Sequence, residues 1–210
     1  MIFKLNINNK MEQFSLIEKQ ESLDVLNYQI RACERCKLST SRKHALTGEG
    51  NINARIMFIA LSPGAKEDIQ NKMFVGPSGL VFNKLLVAAG IDRKLVFMTN
   101  LIKCHLPKNR KPKMNEIEAC GYFLNQEIAI IQPEVIVPLG YYATRTILSK
   151  YDNNPFAKGI SFKDINGQLL TLNGIKVFPL THPAALLYNP SFETDTIEKY
   201  KKLKVFLKLE

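Results

Sequence analysis

The sequence predicts an α/β protein, a three-layer α/β/α sandwich built on a central, mainly parallel four-stranded sheet. Three observations lead there. The runs "ARIMFIA" (54–60), "KLVFMTN" (94–100) and "EVIVPLG" (134–140) are apolar through their middles, the pattern of strands covered on both faces. Segments with helical spacing lie between them, so strand and helix alternate along the chain. The 210 residues suffice for one well-buried domain, and no repeat, low-complexity tract or linker divides them, so residues 1–210 read as a single domain.

The elements follow in order. Residues 11–32 have helical spacing, with Phe14, Ile17, Leu23, Leu26 and Ile30 as the inner face. A cysteine loop, "CERCKLSTSRKHALTGEGNIN", leads to the first strand, which runs into the turn "LSPG" and the acidic pair Glu67-Asp68. "SGLVFNKLLVAAG" (78–90) is a helix that starts near Ser78 and stops at Gly90. After the second strand comes a helix capped by Asn115 that ends before Pro133, then the third strand and the helix "YYATRTILSK". "ISFKDINGQLLTLNG" reads as a hairpin turning at Asn166-Gly167, "IKVFPLTHP" as the fourth strand ending at His182, and residues 194–208 as a basic amphipathic helix.

Composition narrows the setting. Hydrophobic residues make up 46% of the chain and charged ones 23%, which excludes a disordered protein. No apolar run is long enough to span a bilayer, and "MIFKLNINNK" lacks the pattern of a signal peptide, so a cytoplasmic protein with no membrane partner is expected. Against 19 Asp and Glu stand 29 Lys and Arg, a formal charge of +10 that suits a polyanion such as DNA or RNA. The stretch "KNRKPKMN" (108–115) is a natural phosphate contact on such a protein. Four cysteines in a cytoplasmic chain need a use other than disulfides. Cys33 and Cys36 form a C-x-x-C pair, and Cys104 and Cys120 follow the second strand. Four thiolates suit either tetrahedral zinc or an iron–sulfur cluster.

In open parallel sheets, ligands bind beyond the carboxyl ends of the strands. Those ends are Leu61–Gly64, Thr99–Asn100 and Thr181–His182, so three polar or turn clusters distant in sequence should meet at one edge. A lone Asn there is a loop cap and a lone His a core residue. Side by side they become recognition groups. Phe74, in "MFVGPSG", is a core residue or an aromatic platform on a Gly-Pro loop. Leucines follow His182 and Pro183 in "HPAALLYNP", where exposed side chains could wedge into stacked bases.

These stretches together resemble the family-4, iron–sulfur uracil-DNA glycosylases. The likeness runs from about residue 30 to the C-terminal helix, through "CERCKLSTSRKHALTGEG", "SPGAKED", "MFVGPSG", "AGIDRKLVFMTNLIKC", the Asn-Arg-Lys-Pro loop, "IQPEVIVPLG" and "GIKVFPLTHPAALLYNP". The resemblance implies a monomeric repair enzyme of the prokaryotic nucleoid that flips deoxyuridine out of single- or double-stranded DNA and hydrolyses its N-glycosidic bond. It implies a 4Fe–4S cluster on Cys33, Cys36, Cys104 and Cys120. Phe74 stacks on uracil, Asn100 pairs with N3–H and O4, and His182 donates to O2 as charge builds on the leaving base. The turn at Leu61, Ser62 and Gly64 offers backbone N–H groups and positions water. Leu186 is the implied wedge, and Pro183, Asn109, Arg110 and Lys111 the implied DNA contacts.

One position departs from the family pattern. Gly-Glu-Ala/Gly-Pro-Gly is usual where this chain has Ala60-Leu61-Ser62-Pro63-Gly64, and Leu61 cannot hold or polarise water. Three compensations are open. Bond cleavage could be so dissociative that water is a weak late nucleophile; Ser62 could orient the water; or Glu67 could reach the site or wall off the C5 position. Weakened excision is expected. The alternative is a relative that binds uracil-containing or otherwise deaminated DNA without releasing the base.

Overall fold

The computed structural model describes residues 15–151, 156 and 159–207. Helix α1 (Leu16–Arg31) begins at a reciprocal cap, the Ser15 hydroxyl accepting from the Glu18 amide and the Glu18 carboxylate from the Ser15 amide. The start expected at residue 11, and Phe14 with it, lies outside the described residues. Leu23, Leu26 and Ile30 are buried, but Ile17 is 70% exposed. Thirteen residues from Ile30 place Ile17 on roughly the opposite side of the helix, and Lys19 takes the inner position. The Lys19 ammonium donates to the Ile131 carbonyl at 3.2 Å.

The chain continues through β1 (Glu49–Gly50), β2 (Ile56–Ala60), α2 (Ala65–Gln70), α3 (Pro77–Ala89), β3 (Val96–Asn100) and α4 (Met114–Ile131). Then come β4 (Val135–Pro138), α5 (Tyr141–Lys150), α6 (Phe162–Ile165), β5 (Leu170–Leu172), β6 (Ile175–Val177), α7 (Ala185–Tyr188) and α8 (Glu193–Lys201). The sheet has six strands in the order β1-β3-β2-β4-β6-β5. Its inner four, β3-β2-β4-β6, are parallel, as expected; β1 and β5 add short antiparallel edges. With two and three residues, those edges are too short to leave a periodic pattern.

Three boundaries differ from expectation. The hairpin turns at Asn173-Gly174, where both residues have positive φ, and not at Asn166-Gly167. The earlier segment instead forms α6, because Asp164 accepts from the Ser161 amide and hydroxyl and starts a helical turn. The fourth strand ends at Val177, with one isolated bridge at Leu180 before the chain leaves the sheet; Pro179, lacking an N–H, interrupts the ladder. Helix α4 is capped by the Glu116 carboxylate, which accepts from the Lys113 amide at 2.8 Å, and not by Asn115.

Alternate residues of the central strands enter two cores. Met57, Ile59, Phe97 and Ile136 pack with α1, α4 and α5 on one face. Ile56, Phe58, Met98 and Val137 pack with α3, α7 and α8 on the other. This explains the unbroken apolar runs. The register pairs Ala60 with Asn100, so the turn after β2 and the end of β3 lie side by side.

Candidate active site

Backbone hydrogen bonds carry the sheet edge beyond its strands. The Ile102 amide donates to the Leu61 carbonyl at 2.9 Å and the Gly140 amide to the Leu180 carbonyl at 2.7 Å. The ends of β2, β3, β4 and the segment after β6 are therefore neighbours. The 61–64 turn is braced from β3's side, because His105 donates from Nδ1 to the Pro63 carbonyl at 2.9 Å. Leu61 itself packs partly buried against the α1–α4 core.

Helix α2, only six residues long, places two buried carboxylates in succession. Glu67 accepts from the Gly76 amide at 2.6 Å. A Cβ on Gly64 or on Gly76 would stand 2.6 or 2.9 Å from Glu67 Oε2, so the carboxylate lies between two glycines and a larger residue at either would displace it. Asp68 turns the other way and accepts from the amides of Lys43 and His44 at 3.0 and 3.1 Å. His44 donates from Nδ1 to the Asp68 carbonyl at 2.6 Å. One helical turn thus fastens the Phe74 loop and the cysteine loop to the end of β2.

Phe74 has φ 53°, a left-handed conformation costly for an aromatic residue. It is held there from several directions. Its ring stacks on Phe82 with centroids 4.2 Å apart, and Gly79 lies so close that a Cβ would be 2.1 Å from the Phe74 backbone. The neighbouring Met73 carbonyl accepts from Arg93 at 2.7 Å, and the Met73 amide donates to Glu49 at 3.0 Å. Asn100 is buried and donates from Nδ2 to the Met73 sulfur at 3.1 Å, which orients its amide and joins it to the Phe74 loop.

His182 stands at the next edge position. The Ala184 amide donates to its Nδ1 at 3.1 Å, so Nδ1 carries no proton and the neutral ring bears its hydrogen on Nε2. Burial pushes the imidazole down to about 4, opposed by the negative charge of Glu67. Gly140, with φ 83°, passes so near that a Cβ would lie 3.2 Å from His182 Cβ. Met73, Glu67 and Gly140 therefore tie Phe74, Asn100 and His182 into one unit.

Leu186 does not sit as a wedge must. On α7 it is only 7% exposed and belongs to the α3–α8 core, because its position on this short helix faces inward. Leu187 and Tyr188 are the exposed side chains, at 48% and 89%, and Pro183 is buried. In the basic loop, Asn109 and Lys111 are exposed, whereas Arg110 makes a two-pronged ion pair with Glu116. Lys37, Arg110 and Lys113 border one surface cleft, and Arg31, Arg42 and Lys43 another.

The four thiols gather beside this edge. Cys33 and Cys36 pack against the core that contains Cys104 and Cys120. Burial pushes the Cys104 thiol up, and the neighbouring Cys36 and Cys33 push it the same way. Burial likewise raises Cys120 to about 11, with Cys104 and Cys36 adding to it. Positive partners already approach the set, Arg42 donating to Cys104 Sγ at 3.3 Å. Among the described residues no three His, Cys, Asp or Glu side chains stand close enough to hold a single ion.

A family model described as "Uracil DNA glycosylase superfamily" matches residues 47–206. The chain belongs to the uracil-DNA glycosylase superfamily. Its relatives include a "Type-4 uracil-DNA glycosylase" of Saccharolobus solfataricus, 40% identical over 189 residues that cover 88% of this chain and 86% of the relative. A protein of the same name from Thermotoga maritima is 37% identical over 195 residues, 91% of this chain and 98% of the relative. A "Type-5 uracil-DNA glycosylase" of Pyrobaculum aerophilum is 28% identical over 155 residues, 67% and 66% of the two chains. For this member of the superfamily, the sequence does not reveal the positioning roles of Met73, Asp68, Gly79, Gly140 and His105, all of which place other groups. The "GPSG" and "PLG" strings signal special backbone. Contacts such as Asn100 to Met73 leave no mark in sequence.

Proposed function

We propose that the protein is a DNA-repair uracil-DNA glycosylase that breaks the bond between C1′ and N1 of an extruded deoxyuridine and adds water to C1′, leaving free uracil and an abasic site. The observation that carries this reading is the convergence of a backbone-constrained aromatic ring, an oriented buried amide and a neutral Nε2-protonated imidazole at one sheet edge. Phe74 stacks on the base. Asn100 accepts from N3–H and donates to O4, a pattern that cytosine reverses, so a held amide rejects it. His182 donates from Nε2 to O2 as negative charge grows on uracil, in a site where low solvent access strengthens that bond. Leu187, exposed after His182, is the side chain able to enter the space left by the base. The +10 charge, with Asn109, Lys111 and the two basic clefts, serves the phosphate backbone.

With Leu61 apolar, stabilising the departing base carries most of the catalysis, and the Ser62 hydroxyl holds the attacking water. Glu67 supplies negative charge beside His182 and fixes the Phe74 loop through Gly76. Replacing Glu67 by Gln keeps its shape and removes its charge; excision should fall about 10- to 100-fold with folding retained. Single-turnover rates and thermal melts read the two effects apart. The four cysteines hold a 4Fe–4S cluster, which when bound cross-links α1, the loop after β3 and α4; zinc without iron and sulfide in the purified protein refutes that. A uracil-containing oligonucleotide, incubated with protein and then treated with alkali, tests the whole reading. Strand cleavage is expected. Folded protein that binds this DNA yet yields no cleavage would establish the binding-only alternative.

A further inference from the structure

The most completely buried ion pair among the described residues lies directly behind the base-reading amide. Lys103 is 1% exposed and Glu127 fully buried, with Nζ 2.6 Å from Glu127 Oε2. The other two ammonium hydrogens go to Thr99 Oγ1 at 2.6 Å and to the Asn100 carbonyl at 2.9 Å, so all three donors are used and two of them grip the end of β3. Glu127 is filled in turn. Its Oε2 also accepts from the Thr99 hydroxyl at 2.8 Å, and its Oε1 accepts from the Gly48 amide at 3.2 Å. Buried ion pairs are poor stabilisers, since apolar pairs of similar size usually do as well, and stability therefore gives little reason to keep this one. Its geometry gives another. Glu127 stands seven residues beyond Cys120 on the same face of α4, so the clamp on β3 is carried by the helix that also bears a cysteine of the thiol set.

We infer that Lys103 is a positioning residue, its ammonium clamped by Glu127 to hold the Asn100 backbone where the side chain can read a base. The inference rests on the glycosylase reading and adds a residue with no contact to the base. Any shift of α4 relative to β3 moves Glu127, and with it the grip on Asn100. A displacement of about 1 Å at a reacting geometry is enough to cost about 100-fold in rate.

The test compares the wild-type protein with the double variant Lys103→Met/Glu127→Gln, which retains the shapes and removes both charges. Three quantities are measured: single-turnover excision from a uracil oligonucleotide, inhibition by free uracil, and affinity for a duplex with an abasic-site analogue. Excision should fall about 10- to 100-fold and the uracil inhibition constant should rise by a similar factor, with abasic-duplex affinity within about twofold of wild type. Excision and uracil inhibition both unchanged would overturn the inference. So would a parallel fall in abasic-duplex affinity, which marks a general structural loss. If the double variant does not fold, Thr99→Val removes one acceptor of the ammonium and leaves the ion pair; a 3- to 10-fold loss of excision at unchanged duplex affinity is then expected, and unchanged excision overturns the inference. Wild-type protein that neither excises uracil nor is inhibited by it removes the glycosylase reading, and the inference falls with it.

Discussion

His182→Ala should lower single-turnover uracil excision by about 100- to 1,000-fold while leaving DNA affinity nearly intact. That range is the loss found when one donor to a developing oxyanion is deleted from a shielded site. The geometry explains why the residue acts neutral. The Ala184 amide donates to Nδ1, and burial pushes the imidazole down to about 4 from its ordinary 6.5. Nε2 therefore presents its hydrogen across the whole range above about pH 4, with no net charge to hold back the leaving base. Excision should then lack an acid limb near pH 6.5. The linked effect on stability has a definite sign. An unfolded chain takes up a proton on this histidine near pH 6.5, whereas the folded chain does not until about pH 4, so acidification between those values favours unfolding. Above pH 6.5 this contribution to stability is complete. Melting temperatures of the wild type and His182→Ala should converge as the pH falls through that interval. An activity that rises and falls with a pKa near 6.5 would contradict the assignment.

Gly79→Ala should be nearly as damaging to excision, although residue 79 contacts no substrate in the proposed reaction. The added methyl would lie 2.1 Å from the carbonyl carbon and oxygen of Phe74, backbone atoms that cannot swing aside as a side chain does, so the helix or the loop must shift. Phe74 already occupies a left-handed conformation, and its ring is committed to stacking on Phe82. Overpacking of this kind costs about 1–3 kcal/mol, and at this chain size each kcal/mol lowers the melting temperature by about 2–4 °C. Excision should suffer more than stability, because the ring and the Met73 sulfur that orients Asn100 move together. Gly121→Ala is the matched control. It lies in α4 with no neighbour within 4 Å of the added carbon, and the better helix former should stabilise by up to about 1 kcal/mol. Differential scanning of both variants beside excision rates checks the pair.

The inner parallel strands are legible in the sequence because burial on both faces removes polar alternation, and β2, β3 and β4 all carry that mark. The carboxyl ends of β2 and β3 are legible for the same reason, which groups Ser62 with Asn100 before any coordinates are known; His182 joins them although its strand ends at Val177, because the bridge at Leu180 carries the chain on along the same edge. The limits are physical too. Two Asn-Gly pairs look equally fit to turn a hairpin, and a side-chain cap at Ser161 and Asp164 decides between them. Which of two adjacent leucines faces water depends on the phase of a four-residue helix, so Leu186 and Leu187 could not be told apart. The left-handed backbone of Phe74 arises from Gly79, five residues away, and from Phe82 beneath it. The buried Lys103–Glu127 pair joins residues 24 apart through a packing that no local pattern encodes.

A six-residue helix cannot persist in isolation, since its nucleation cost exceeds what so few hydrogen bonds return. Helix α2 therefore depends on the two loops it fastens, and it adds one hold to each of them. The segment that would stack against a base and the segment that follows the paired cysteines are thereby linked through one turn of helix. Local melting of either loop removes one of the two anchors of that helical turn and so weakens the hold on the other.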